Sequence, residues 1–220
     1  LDVLIGSFAV GGFSKKILIC LVVFSLLLIG NIIWGCKNPF RTRHSPEPAI
    51  REGTWDTPAL PEIVIQNLLH SYNEKVIGNF IQCLCDSFAF SAPEDSVDAV
   101  AQGREDLFAN WDRTAEISVT TNIFNTARQN PDSFDYVLWL HTNLDLPDEV
   151  GDTLAVLSRD YELFIFDFKA EPPETTRTQG TATFHMRQTS LNWWNIYFWS
   201  DIPAETDKDG WADFKAQFRQ

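Results

Sequence analysis

The chain is poor in basic residues: 17 Lys and Arg stand against 30 Asp and Glu, a formal net charge of −13 in 220 residues. A nucleic-acid binder needs a basic face to neutralise phosphates, so that class is excluded and no nucleic-acid partner is expected. Cysteine is scarce as well. Four cysteines without metal-ligand spacing exclude a zinc module and a disulfide-dense miniprotein. The histidines His44, His70, His141 and His185 form no sequence-local ligand pair, so no metal is expected. Nucleotide fingerprints, phosphate loops and a Ser-His-Asp motif are absent too, and no cofactor is expected. Only one long hydrophobic run occurs, which excludes a multi-spanning membrane protein. Apolar and aromatic residues, at 45% and 13%, are ample for a packed core and exclude overall disorder. The length leaves room for one globular domain.

Lys15-Lys16 leads into an apolar stretch from Ile17 to Gly35, the order of an export signal. The stretch ends in Ile33-Trp34-Gly35-Cys36, which resembles the bacterial lipobox, with Trp34 bulkier than that pattern usually has. The resemblance implies lipidation (palmitate) at Cys36 and a membrane-lipid partner through it. The alternative is a single uncleaved N-terminal anchor, since nineteen residues, apolar but for Ser25 and Asn31, come close to the ~20 that span a bilayer. Either way the domain is expected to face the periplasm or cell exterior, with the outer membrane favoured because Lys37 follows Cys36. Residues 1–35 are read as the signal, 36–57 as a Pro-rich flexible tether, and 58–220 as the domain. The chain starts at Leu1 and its sole methionine is Met186, so the start is expected to be misassigned or lost. That leaves open whether residues 1–14 are translated.

Within the domain, Val64, Leu68 and Tyr72 fall at helical spacing after Pro61-Glu62, and Phe80, Ile81 and Leu84 briefly restart a helix. Phe88-Ala89-Phe90 reads as a short strand ended by Pro93, and Gly103 to Thr114 as a helix. From Ala115 the period becomes two, which predicts a strand through Ile123. Strands are expected over 134–144 and 154–170, the latter broken at Ser158-Arg159-Asp160. A hairpin over 180–201 and a short helix over 210–218 close the chain. Helices first and an antiparallel run afterwards is α+β order. Tyr136 and Trp139 belong to a strand apolar on both faces, which implies that the second face is covered by a partner, a ligand or the sheet's own curl.

Gly180-x-Ala182-x-Phe184, Trp194-x-Ile196-x-x-Trp199-x-Asp201 and Trp211-x-x-Phe214-Lys215 together resemble the nuclear transport factor 2-like superfamily, the cystatin-like or SnoaL-like cones. That resemblance implies a curved antiparallel sheet wrapped round N-terminal helices. It also implies that Trp194, Trp199 and Trp211 are packing positions. Members of the superfamily include isomerases and dehydratases, and also domains without known activity, so fold alone does not assign function. An isomerase of this kind would need a carboxylate base, a tyrosine and an acid in an apolar pocket, for which Asp167, Tyr72 and His141 are the candidates. Trp139, Trp193 and Tyr136 are candidates for a pocket or dimer face. Cys83 and Cys85 are expected on one helix, as small buried residues without a mutual disulfide.

The expectation is therefore an exported, lipid-anchored α+β cone with a non-catalytic binding or assembly role, pairing with a second copy through its sheet. The alternative is a small-molecule isomerase or dehydratase with an unknown ligand.

Overall fold

The computed structural model describes residues 53–205 and 209–219; Cys36 and most of the residues read as export signal and tether lie outside them. The fold is mixed α+β, with one curved, unclosed sheet in the order β1-β6-β5-β4-β2. Its strands are β1 (Leu84–Ser91), β2 (Phe134–Thr142), β4 (Leu154–Asp167), β5 (Glu174–Gln188) and β6 (Trp194–Pro203), with the two-residue β3 (Glu149–Val150) pairing β4. All neighbours are antiparallel except β1 and β6, which run parallel.

The leading helix α1 (Pro61–Glu74) forms where the sequence places it, with Pro61 in its first turn and Val64, Ile65, Leu68 and Tyr72 buried. It ends at Lys75, whose left-handed backbone (φ 58°) lets the next N–H groups close on Ser71 and Tyr72. The folded part starts before Pro58. Thr54 binds the Glu74 carboxylate, Asp56 and Asn67 exchange hydrogen bonds, and Pro58 accepts from the Trp194 N–H at 2.8 Å.

Four local expectations need correction. Residues 115–123 are not a strand but part of α4 (Arg113–Gln129), which opens on Asp112 accepting from Ala115 N at 2.9 Å. Its buried residues Glu116, Val119, Thr120, Ile123, Phe124 and Ala127 trace a helical stripe, which the β-branched alternation masks. The helix expected over 103–114 is a single 3-10 turn, Glu105–Leu107, between left-handed Gly103 and Asn110. Pro93 both ends β1 and starts a helix, α3 (Pro93–Ala101). The expected break at Ser158-Arg159-Asp160 is continuous strand, because Arg159 is bonded bidentately by Asp148 (2.7 and 2.9 Å) and also reaches Glu62. Cys83 closes α2 (Ile77–Cys83) whereas Cys85 lies on β1, so the two thiols do not share a helix.

The inner face of the sheet carries Tyr136 and Leu138, Tyr161 and Leu163, Ala182 and Phe184, then Trp194, Ile196 and Trp199, all buried. The spacing Ile196-x-x-Trp199 is one residue longer than strict alternation. It marks a β-bulge in β6, where Tyr197 is the extra residue opposite the step from His185 to Met186 of β5. Without that extra residue Trp199 and Asp201 would face outward. The closing helix α5 (Trp211–Ala216) tucks against β5, β6 and α4.

Candidate functional site

The middle of the cone is occupied by the protein itself. Trp211 of α5 inserts among Tyr72, Tyr161 and Trp199, with ring centroids 5.1, 5.4 and 4.5 Å away. One turn later Lys215, with no solvent exposure, places its Nζ 2.9 Å from Glu116 Oε1 and over the rings of Trp199 and Phe90 at 3.3 and 3.9 Å. The other Glu116 oxygen accepts from Trp111 Nε1 at 2.8 Å. Burial pushes the Lys215 ammonium below its usual range, and Glu116 opposes that shift. Both groups are desolvated and paired, and Lys215 also lies over aromatic faces, as a buried charge needs partners to persist.

A second group of acids lies at the start of α5. Asp201 accepts from Ala212 N at 2.7 Å, Tyr161 Oη from Trp211 N at 2.9 Å, and Asp213 from Gly210 N at 3.1 Å. Asp95 of α3 is buried beside Asp213 and Asp201. Desolvation first, then the repulsion of Asp213 and Asp201, pushes the Asp95 carboxyl up to about 8. Asp201, completely buried, is pushed up to about 6 by desolvation, against the pull of the Ala212 N–H and Lys215. Asp95, held near 8, keeps its proton at neutral pH and can donate a hydrogen bond to a neighbouring carboxylate.

The residues singled out from sequence do not converge. Tyr72 is fully buried, its hydroxyl turned inward toward Thr120 and Trp211, and burial makes it a much weaker acid than an ordinary phenol. Asp167 is exposed at the end of β4, where it accepts from Lys169 N at 2.8 Å. His141 is exposed on the opposite face, edge-on to Trp139. Asp167 pairs with Phe134 at one end of the β2–β4 ladder and His141 with Asp160 near the other. Asp167 instead rims an open groove of about 490 Å³, with Phe134, Ile165, Lys169, Glu174 and Phe218. Asp167→Asn is expected to shift stability by no more than about 0.5 kcal/mol, checked by urea denaturation, as for an exposed side chain bonded only locally.

Tyr136 belongs to the core, not to a surface, and donates its hydroxyl to the Tyr72 carbonyl at 3.1 Å. Trp139 and Trp193 are exposed, at 50% and 44%, while Trp194, Trp199 and Trp211 are buried packing residues. Cys83 is buried, but Cys85 is not the expected inert filler. Arg187 points Nε and Nη2 at its sulfur, at 3.1 and 2.7 Å. Burial opposes the Cys85 thiolate, but the Ser87 backbone and Arg187 outweigh it and hold the thiol below its ordinary range.

Sequence reasoning missed Glu116, Lys215, Asp201 and Asp95 as buried groups. Three of them carried a signal. Asp201 shares Trp199's parity, Lys215 follows Trp211 by one helical turn, and Glu116 lies on the stripe of Val119 and Thr120. Among the described residues no group of His, Cys, Asp and Glu is placed to hold a metal ion.

The chain is similar in fold to several solved structures. One is a nuclear transport factor 2-like superfamily protein from Salmonella enterica (15% identity, TM-score 0.44), covering 67% of this chain and 91% of that one. Another is the beta subunit of benzoate 1,2-dioxygenase from Burkholderia mallei (11%, TM-score 0.49), covering 73% and 98%. A ketosteroid isomerase-like protein from Erwinia carotovora (12%, TM-score 0.43) covers 67% and 96%. No protein-family model and no curated protein matches the chain.

Proposed function

We propose that this chain is an exported, lipid-anchored α+β cone that binds or assembles and does not catalyse. The observation that carries this reading is the filled interior, where Trp211, Lys215, Tyr72, Tyr161 and Trp199 occupy the space a substrate would need. An acid–base mechanism needs its groups within hydrogen-bond reach of one reacting centre, and Asp167, Tyr72 and His141 lie apart.

The outer face of the sheet offers a surface instead. Trp139 packs on Phe164 at 5.2 Å, and Phe166 and Phe168 stack in parallel at 6.1 Å. Exposed aromatic side chains grouped on one face mark association sites, and a second copy of the chain is the occupant proposed here. Cys36 supplies the lipid anchor on this reading, placing the domain outside the cytoplasm. Among the described residues no helix is long and apolar enough to cross a membrane.

The test is sedimentation of the full chain in mild detergent, with intact mass measured on the same sample. The expected species is a dimer carrying a diacylglycerol- and acyl-modified Cys36. Trp139→Glu is expected to give monomers with unchanged circular dichroism, because a buried unpaired charge opposes association by several kcal/mol. A monomeric wild type would remove pairing through the sheet, and an unmodified Cys36 would remove the anchor.

A further inference from the structure

Helix α3 is attached in an unusual way. Of its nine residues only Asp95 and Ala99 are buried, while Val97 and Val100 point into solvent. The largest side chain it buries is thus a carboxyl, set beside two other carboxyls, Asp201 on β6 and Asp213 on α5. The segment around α3 leaves the sheet after β1 and is pinned where it returns. Phe90 N donates to Trp111 O at 2.9 Å, Phe108 stacks on Trp111 at 5.8 Å, and Arg219 reaches the Leu107 and Ala109 carbonyls. The return is therefore anchored by a ring stack and a guanidinium, whereas α3 itself rests on a small residue and a carboxyl.

We propose that α3 is a proton-operated flap. With one proton shared among Asp95, Asp201 and Asp213 it lies closed on β6 and α5, and when that proton passes to water it lifts and uncovers the start of α5.

The other charged and titratable groups near this cluster do not cancel the effect. From α3 come Glu94 and Asp98, both acidic, and Glu94 has a buried oxygen without a hydrogen-bond partner. From β4 comes the Tyr161 hydroxyl, which accepts from Trp211 N. From α5 comes Lys215, whose ammonium is engaged by Glu116 of α4 at 2.9 Å. Asp95 Oδ2 and Asp201 Oδ1 are buried without any hydrogen-bond partner. Among the described residues, a second ionised carboxylate there would face like charge with no cation to itself.

The sign follows from linkage. Closed, Asp95 holds its proton up to about pH 8; open, it returns to the ordinary value of 3.8. Between those limits the closed form binds more protons, so opening becomes about tenfold more favourable for each pH unit gained and levels off above pH 8.

Hydrogen exchange read by mass spectrometry on the full chain, at pH 5 and pH 7 and corrected for intrinsic rates, tests this. Protection over residues 93–101 is expected to fall about a hundredfold between the two pH values, while α1 stays constant. Asp95→Asn is expected to abolish the dependence. Asp213→Asn, which leaves Asp95 a neutral neighbour, is expected to weaken it and serves if the first variant does not fold. The proposal is overturned by a wild-type change under threefold, by an equal change in α1, or by undiminished dependence in the variant that folds.

Discussion

Glu116→Ala is expected to lower stability by about 3–5 kcal/mol, the cost of leaving a buried ammonium without its counter-ion. Lys215 has no route to water, and the rings of Trp199 and Phe90 supply only part of the lost attraction. The variant also strands the Trp111 indole N–H, which now donates to Glu116 at 2.8 Å. The double change Glu116→Leu with Lys215→Met is expected to recover most of the loss, because an apolar pair avoids desolvating either ion. Urea denaturation at pH 7 reads both. A single-variant loss under about 1 kcal/mol would mean that water reaches Lys215 and that the interior is not closed.

Gly180→Ala is the second change with a large expected effect. A Cβ there would lie 2.3 Å from the Ile202 carbonyl oxygen and 2.5 Å from the Tyr161 hydroxyl. The first obstacle is backbone, and the second is the hydroxyl that accepts from Trp211 N, so neither can retreat without parting β5 from β6 or loosening α5. At least about 3 kcal/mol of destabilisation is expected, at the upper end of overpacking effects. Gly78→Ala is the control. Nothing lies within 4 Å of the added methyl in α2, and there the change is expected to stabilise by about 0.5–1 kcal/mol. Thermal melts of the two variants are expected to shift in opposite directions.

Much of the architecture was legible because apolar spacing reports it directly. Val64, Leu68 and Tyr72 marked α1, and the short helix read over 210–218 contains α5. The tryptophans of β6 gave a strand with an inward face. Helix α4 was not legible, since Ile117, Val119, Thr121 and Ile123 satisfy a period of two while the deciding residues, Glu116 and Thr120, look polar. The buried ions were missed for a related reason. A lone acid or lysine belongs in solvent by default, and the partners that reverse this lie far away in sequence, Glu116 against Lys215 and Asp95 against Asp201 and Asp213. Asp167 drew attention because it sits between two phenylalanines, but at a strand's end that flanking does not bury it. His141 and Trp139 share the outer face, whose aromatic character was visible although its occupant was not.

The parallel join of β1 to β6 has a consequence for synthesis. Among the described residues β1 has no other neighbour in the sheet, and Asn195 reaches back to the Gln82 carbonyl across 113 residues. The earliest strand therefore waits for the latest, and contacts so distant in sequence form slowly. A ribosome must pass β6 before the sheet can close. Until then β1 waits unpaired, an open backbone edge that a neighbouring chain can reach.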